Sequence, residues 1–351
     1  MNTYQLTAIG FDALTRTDRA PTPPGPGEVR IRPHAASINY RDFALIQGIY
    51  QADLPKPFVP LSDGAGTVEA IGAGVRRFTP GDRVVGHYTT GWLDGPFQSS
   101  YHATKLGGPH DGWLAETVTL PEDVLLPVPE YMTLVEAATL PVSGLTAWTA
   151  LGEPDNLNGK WVLIQGTGSV SLMALQIAHA LGANTVLMTS KRKHHATLRR
   201  LGATRIIDYR ATTDLVAAVR EATDGKGMDL AVEVLGGDQL LRTVAMMADN
   251  GVMAIVGFLR GCEIHGDLIG PLLARRLTLR AVSGAGSRTQ FQRFLAFLTR
   301  HRIHPVVGDR YGFHQAADAI KERGQQPGFG KPVIIINPSV INPSKKAPDS
   351  M

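Results

Sequence analysis

Apolar positions follow two different rhythms along this chain. In residues 1–128 they form short β-favouring runs cut by glycine and proline: residues 28–32 alternate apolar and polar as a half-buried strand does, and 64–71 and 82–85 read as further strands bounded by turn residues. The segment Pro21-Thr-Pro-Pro-Gly-Pro-Gly27 is a stiff connector. From about residue 134 the pattern becomes an alternation of helices and strands. Residues 135–140 and 144–151 read as helical. Strands follow at 161–165, 185–189, 205–207, 230–234, 252–256 and 277–282, with helices between them, which predicts a doubly wound parallel sheet of six strands. An amphipathic helix at 289–301 and a last strand at 332–336 close the pattern, and the polar, proline-rich end lacks periodicity and is expected to fray.

The stretch 161–192 organises the rest. Its apolar run Trp161-Val-Leu-Ile-Gln165 breaks at Gly166-Thr-Gly168, after which Val170, Met173, Ala174, Ile177 and Leu181 fall on one helical face. Strand, glycine turn and helix together form a unit whose bare backbone and unpaired N–H groups receive a pyrophosphate. The third glycine of the G-x-G-x-x-G pattern is Ser171, which puts a hydroxymethyl where helix and strand must lie close. A pocket for a free ribose hydroxyl wants a carboxylate about 20 residues past the glycines. Here the chain offers Thr189, Ser190, Lys191, Arg192 and Lys193, with no Asp or Glu between Asp155 and Asp208. Hydroxyls and cations suit a 2′-phosphate, so the expected cofactor is NADP(H).

Composition narrows the classes. The 351 residues allow one large or two ordinary domains, and 43% hydrophobic with 19% charged residues is ordinary for a globular chain. The net charge of +4 is dispersed except at Lys191 to Lys193, which reads as a local phosphate site and not as a nucleic-acid surface. The single cysteine, Cys262, excludes an internal disulfide framework and a cysteine-based structural zinc site. No signal peptide or membrane-length apolar run is evident, so a cytoplasmic location without membrane attachment is the default expectation.

Several further segments fall in a recognisable order: Ser37-Ile-Asn39-Tyr40-Arg41-Asp42, Gln47-Gly-Ile-Tyr50, Gly64-Ala-Gly-Thr-Val, Phe78-Thr-Pro-Gly-Asp-Arg-Val-Val85, Ala137-Ala-Thr-Leu-Pro141 with Gly144-Leu-Thr146-Ala-Trp148, Leu201-Gly-Ala203 with Ile207-Asp-Tyr209, Gly284 to Arg288, and Phe329-Gly-Lys331. Through them the chain resembles the medium-chain dehydrogenase/reductase superfamily over nearly its whole length, specifically its zinc-independent quinone oxidoreductase and enoyl reductase branch. The resemblance implies an α/β protein with a GroES-like irregular β catalytic domain (1–128), a Rossmann NADP-binding domain (129–285), a C-terminal segment returning to the catalytic domain (286–337) and a flexible tail (338–351). It also implies a homodimer joined edge to edge through the last Rossmann strand.

In the zinc-dependent branch the metal is held by two cysteines and a His-Glu pair, and the corresponding positions look to be Asn39, Ser62 with Asp63, and Ser143. No thiolate or imidazole remains there to hold zinc. Without a Lewis acid, reduction of an electron-poor C=C bond is the easier chemistry: it needs a held nicotinamide, donors facing the developing enolate oxygen, and a proton source. Tyr50 is the first candidate for the proton source, since the matching loop tyrosine of enoyl thioester reductases is assigned that task; the bland alternative is a loop aromatic shaping the cleft. Asn39 is a candidate donor to a substrate carbonyl or to the ribose, against the alternative of a turn residue bonded to its own backbone, and Tyr40 flanks it. His110, on a glycine-rich loop, and the aromatic residues between His87 and Trp113 offer cleft-wall material, though such residues more often simply pack or face solvent.

The resemblance places the cofactor on Thr146, on Gly166, Thr167, Gly168, Ser169 and Val170 at the phosphates, on Ser190, Lys193 and Tyr209 at the 2′-phosphate and adenine ribose, and on Gly257 and Phe258 beside the nicotinamide. Arg288 and Lys331 are expected to reach back as counter-ions. The function implied is NADPH-dependent reduction of a small-molecule enone, enoyl or quinone substrate. A zinc-free alcohol or carbonyl oxidoreductase, or a non-catalytic NADPH-binding protein, are the alternatives.

Overall fold

A computed structural model describes residues 1–50, 53–326 and 328–338. The expected fraying of the tail concerns residues that, from 339 onward, lie outside the described ones. Two sheets dominate. The first has six strands, all parallel, in the order Arg205–Ile207, Asn184–Met188, Trp161–Gln165, Met228–Glu233, Met247–Ile255 and Thr278–Ala281. The chain starts in the middle and winds outward both ways, so the order reverses beside Trp161–Gln165. That reversal opens a crevice at the carboxyl ends of the strands, the place where open α/β sheets bind ligands. The Rossmann sheet expected from the alternating pattern is present strand for strand.

The second sheet is built from the irregular β region. Glu28–Ser37, Asp63–Ile71, Arg83–Gly86 and Leu125–Pro127 form an antiparallel run, Val118–Pro121 joins beside Glu28–Ser37, and Lys331–Ile335 adds from the far end of the chain. Val307–Gly312 completes it as the parallel neighbour of Lys331–Ile335. Strand Asn2–Leu6 pairs separately with Leu14–Asp18.

Helix Ser169–Ala180 buries more than one stripe. Ser171, Leu172, Met173, Ala174, Leu175, Ile177 and Ala178 are all buried, whereas Val170 and Leu181 of the sequence stripe are only half-buried. The helix is covered on two sides, by the sheet and by helix Leu145–Leu151, so two faces are apolar. The stretch read as helical at 135–151 is interrupted. Helix Leu134–Ala137 ends, a single π-helical turn covers Leu140–Gly144, and Leu145–Leu151 follows. Pro141 has no N–H to give an ordinary helical bond, which suits a local rearrangement.

The C-terminal segment does not turn back to the catalytic domain at once. Helix Arg288–His301 packs against Leu145–Leu151, with Trp148 ring centroids 5.8 Å from Phe294 and 4.8 Å from Phe297. Its apolar face of Phe291, Phe294, Leu295, Phe297 and Leu298 finds that partner first, and the chain rejoins the second sheet only at Val307–Gly312. One apolar cluster therefore runs from Ala35, Ala65 and Val85 through Leu145 and Ile164 to Phe294. Among the described residues no helix is long and apolar enough to cross a membrane.

Phe294 is fully buried at this junction. Replacing it by Ala removes its packing on Trp148 and leaves a cavity, with an expected cost of about 3–5 kcal/mol. Urea unfolding followed by tryptophan fluorescence should show the midpoint falling with the slope unchanged.

Candidate active site in the interdomain cleft

At the crevice, Gly166 takes φ +78°, and a Cβ built on Gly166 or Gly168 would meet no heavy atom within 4 Å. The turn thus presents open space over bare backbone at the start of helix Ser169–Ala180, whose first N–H groups have no intrahelical partner. These residues fit a dinucleotide pyrophosphate. Ser171 does not disturb the geometry: its buried Oγ donates to the Gln165 carbonyl at 2.6 Å and ties the helix start to the strand end. The C-terminal segment covers the turn from the other side, with the Gly330 N–H donating to the Thr167 carbonyl at 3.2 Å.

A group absent from the sequence expectations lies beneath the turn. Glu233, fully buried at the end of strand Met228–Glu233, accepts from Gln165 Nε2 (2.9 Å), Thr243 Oγ1 (2.6 Å) and the Leu235 and Gly236 N–H groups (2.7 and 3.1 Å). It fixes the loop on which Gly236 lies close against Phe258, where a Cβ would come within 2.7 Å of the Phe258 backbone. A lone carboxylate ending an apolar strand was the available sequence signal.

At the end of the neighbouring strand, Ser190 Oγ and Tyr209 OH are 3.1 Å apart, and Lys193 is exposed three residues further along the chain from Ser190. His194 stacks on Phe329 at 4.1 Å, so the C-terminal segment borders this subsite too. Asp208 reaches the site from the adjacent strand and accepts from Arg192 Nε at 3.0 Å, a hydrogen bond that holds its carboxyl below the usual range. The site therefore contains a carboxylate, already paired with a cation.

Across the cleft, the Tyr50 ring is 6.1 Å from Tyr40 and 5.7 Å from Phe258, which joins the catalytic-domain loop to the Rossmann loop that carries Gly257. Burial pushes the Tyr50 phenol up to about 12, with Tyr40 and Cys262 adding to the rise and Arg41 opposing it. Tyr40 is 39% exposed and Phe258 43%, so both line open space.

Asn39 behaves differently from the expected substrate donor. It lies buried at the start of helix Tyr40–Ile46, where its backbone N–H donates to Asp42 Oδ2 (2.7 Å) and its Nδ2 to Asp63 Oδ2 (2.9 Å), while Lys331 Nζ donates to its Oδ1. The amide orientation follows from these charges. Lys331 Nζ is also 3.7 Å from Asp63 Oδ2, which accepts from Ser37 Oγ (3.0 Å). Ser62 Oγ donates to Asp42 Oδ1 (3.1 Å) and accepts from Arg41. Burial raises Asp63 to about 6 against the pull of Lys331, and burial lowers Lys331 against the pull of Asp63 and Asp42. Burial likewise raises Asp42, with Arg41 opposing. Lys331 is thus a counter-ion to carboxylates as well as a neighbour of Ser169 in a narrow crevice with Thr139 and Ser143. Thr146 is buried in the first turn of Leu145–Leu151, two residues past that crevice's Gly144.

The positions that would hold zinc are filled by this network, and Ser143 Oγ donates to the Thr139 carbonyl at 3.2 Å. An amide, two hydroxyls and a carboxylate already facing an ammonium do not suit a tetrahedral zinc ion. Arg288 does not join the cofactor residues. It faces a groove of about 910 Å³ on another side, with Arg77, Arg83, Glu130 and Gln292, because the Ser287-capped helix it begins is docked on the Trp92 and Leu93 carbonyls.

A parallel dinucleotide-type sheet with an open glycine turn, joined by a returning strand to a β domain that closes the cleft, defines a nicotinamide-type oxidoreductase fold. The chain belongs to the medium-chain dehydrogenase/reductase superfamily. Residues 25–130 match the alcohol dehydrogenase GroES-like domain and residues 169–300 the zinc-binding dehydrogenase family. It is 35% identical over 336 residues to a zinc-type alcohol dehydrogenase-like protein of Schizosaccharomyces pombe, covering 93% of this chain and 96% of that protein. It is 28% identical to a quinone oxidoreductase of Pseudomonas aeruginosa over 93% of this chain and 96% of the other. A crystal structure described as an NAD-dependent alcohol dehydrogenase superposes with a TM-score of 0.85 at 30% identity, covering 96% of this chain and 100% of that one.

Replacing Lys331 by Met leaves Asp63 buried without its counter-charge, an expected loss of about 3–5 kcal/mol. The raised folded-state pKa of Asp63 means the folded protein holds a proton that the unfolded chain has released, so this deficit should narrow from about pH 7 toward about pH 5. The double variant Asp63→Asn, Lys331→Met should regain most of the stability. Denaturant melts of the three proteins at both pH values check this.

Proposed function

We propose that the protein is an NADPH-dependent, zinc-independent reductase of small molecules bearing an electron-poor C=C bond: an enone, an enoyl group or a quinone. The observation that carries the proposal is the Lys331 ammonium closing on Asn39 and Asp63, which puts a buried salt-bridged network at the metal position and leaves a protonated phenol, Tyr50, on the cleft wall. A bound reduced nicotinamide supplies the hydride. Gly166 to Val170 hold the pyrophosphate, Thr146 approaches the carboxamide or pyrophosphate, and Gly257 with Phe258 borders the nicotinamide ring. Ser190, Tyr209 and Lys193 favour a 2′-phosphate, because Asp208 is engaged by Arg192. Tyr50 gives its proton to the carbanionic carbon of the reduced substrate. A phenol at about 12 keeps that proton in neutral water and yields it to an enolate, a strong carbon base.

Two features support a homodimer through the last Rossmann strand. Thr278–Ala281 forms the sheet's edge, and helix Ile269–Arg275 beside it exposes Ile269 (62%) and Leu273 (74%). The alcohol dehydrogenase names of two of the similar proteins favour a second function, nicotinamide-linked interconversion of alcohols and carbonyls.

A screen of both reduced nicotinamides against enone, quinone and enoyl-thioester acceptors, read by the loss of nicotinamide absorbance, tests the proposal. Oxidation of NADPH at least about tenfold faster than NADH, unaffected by chelator, is the expected result. Steady oxidation of simple alcohols with NADP+ and no acceptor reduction would replace it by the second function. Tyr50→Phe should lower kcat on the order of 10²-fold with cofactor affinity unchanged. Equal kcat in that variant would assign Tyr50 to cleft shape alone.

A further inference from the structure

Reduction of a conjugated carbonyl leaves negative charge on the acceptor oxygen, and the cleft needs a donor to receive it. Asn39, the group expected there, spends both ends of its amide on Asp63 and Lys331. The lobe between Trp92 and Lys105 offers another. It folds over the carboxyl edge of the Rossmann sheet: Thr89 Oγ1 donates to the Gly284 carbonyl (3.5 Å), and a Cβ on Gly284 would touch Trp92 and Phe97. Gly284 lies just beyond strand Thr278–Ala281, on the same edge as Gly166 and Phe258.

Lys105 ends this lobe. It is 9% exposed, and its Nζ is 2.7 Å from His102 Nδ1 and 5.9 Å from the centroid of the Tyr88 ring. Arg41 lies over the same ring at 5.5 Å, with its guanidinium committed to the Ser62 hydroxyl and the Leu106 and Gly108 carbonyls. Lys105 and Arg41 thus share the Tyr88 ring, and Arg41 follows Tyr40, whose ring centroid is 6.1 Å from that of Tyr50. An ammonium has three N–H donors, of which His102 takes one. No carboxylate lies within 4.0 Å of Lys105 among the described residues. A lysine this buried with no counter-charge is costly unless an anion completes it.

We propose that Lys105, with His102 accepting one of its N–H bonds, binds the anionic oxygen of the substrate: the enolate or phenolate oxygen that develops as a conjugated carbonyl or quinone is reduced. The assignment deepens the reductase function and rests on it for the identity of the oxygen, while the anion site itself is testable without turnover. Burial, with Arg41 adding to it, lowers the Lys105 ammonium to about 8, and burial lowers His102, so at neutral pH the lysine is the donor and the imidazole the acceptor. The other titratable groups around it are Tyr88, whose phenol burial raises, and His110, whose backbone N–H donates to the Lys105 carbonyl. Anion affinity should therefore be full below about pH 8 and fall as pH rises through it.

The test uses the full-length protein and 4-nitrophenolate, whose visible band reports ionisation. Wild type should bind it near neutral pH, raise its ionised fraction, and lose it above about pH 8. Lys105→Met should weaken binding about tenfold or more, and Lys105→Arg should keep most of it. Quenching of tryptophan fluorescence by NADPH, unchanged in both variants, shows that the fold is intact. Should Lys105→Met fold poorly, the readout moves to wild type: 4-nitrophenolate should protect Lys105 from an acetylating reagent, as seen by peptide mass mapping. Equal binding by Lys105→Met, or no protection of Lys105 in wild type, overturns the proposal. Phenolate binding that depends on Lys105, together with a silent acceptor screen, would instead keep the anion site and reject the reductase function.

Discussion

A buried ammonium has to be neutralised where it sits, and that requirement holds the cleft of this protein together. Lys331 Nζ lies between Asn39 and Asp63, while the residue before it, Gly330, is hydrogen-bonded to the glycine turn through Thr167. Its strand, Lys331–Ile335, pairs antiparallel with Glu28–Ser37. One short segment from the end of the chain is therefore stitched to the catalytic sheet, to the start of helix Tyr40–Ile46 by way of Asn39, and to the nucleotide turn. Breaking a buried pair by removing one partner costs far more than the pair contributes net. The geometry between the two domains is consequently set by electrostatics as well as by the apolar cluster that joins Ala65 to Phe294.

That constraint changes which side chains are free to act. Asn39 is in the right place for a donor, but its amide is spent on holding Lys331 and Asp63 in register. Asp42 is likewise committed, accepting from Asn39 and Ser62. What remains is the phenol of Tyr50 on one loop and, in our proposal, the ammonium of Lys105 on another, with the fixed charge of Arg41 felt by both. These two groups have complementary characters. The phenol is held protonated by burial and suits transfer to carbon, whereas the ammonium is a point charge suited to an oxygen anion.

Much of the fold is legible in the sequence because its signals are local. Period, glycine punctuation and β-branched runs place all six Rossmann strands, and the Ser190 and Tyr209 pairing follows from two adjacent strands ending on the same edge. The less legible features are long-range. Glu233 reads as an odd carboxylate at a strand end until Gln165 and Thr243 are seen to bond it. Asp208 lies in plain view, yet its pairing with Arg192 depends on strand Arg205–Ile207 lying beside Asn184–Met188. Arg288 looks like a counter-ion in the sequence, but the apolar face of its helix is docked on Trp148, and its side chain lines a groove with Arg77, Arg83 and Glu130. Lys105 is a lone lysine in a polar loop by sequence, and only the closure of the lobe over Tyr88 and His102 buries it.

Ser171 shows how a departure from a motif is absorbed. A third glycine lets helix and strand approach closely; here the serine keeps the approach and adds a 2.6 Å bond to the strand's last carbonyl. That carbonyl belongs to Gln165, whose side chain bonds Glu233, whose oxygens in turn hold the Leu235 and Gly236 N–H groups below Phe258. A run of hydrogen bonds thus leads under the crevice from the helix start to Gly236, which packs closely against Phe258, the residue that faces Tyr50. Buried networks of this kind favour a single arrangement, because any slip leaves a carboxylate without its donors. The floor of the cleft is therefore fixed from within, by side chains and backbone groups bonded to one another.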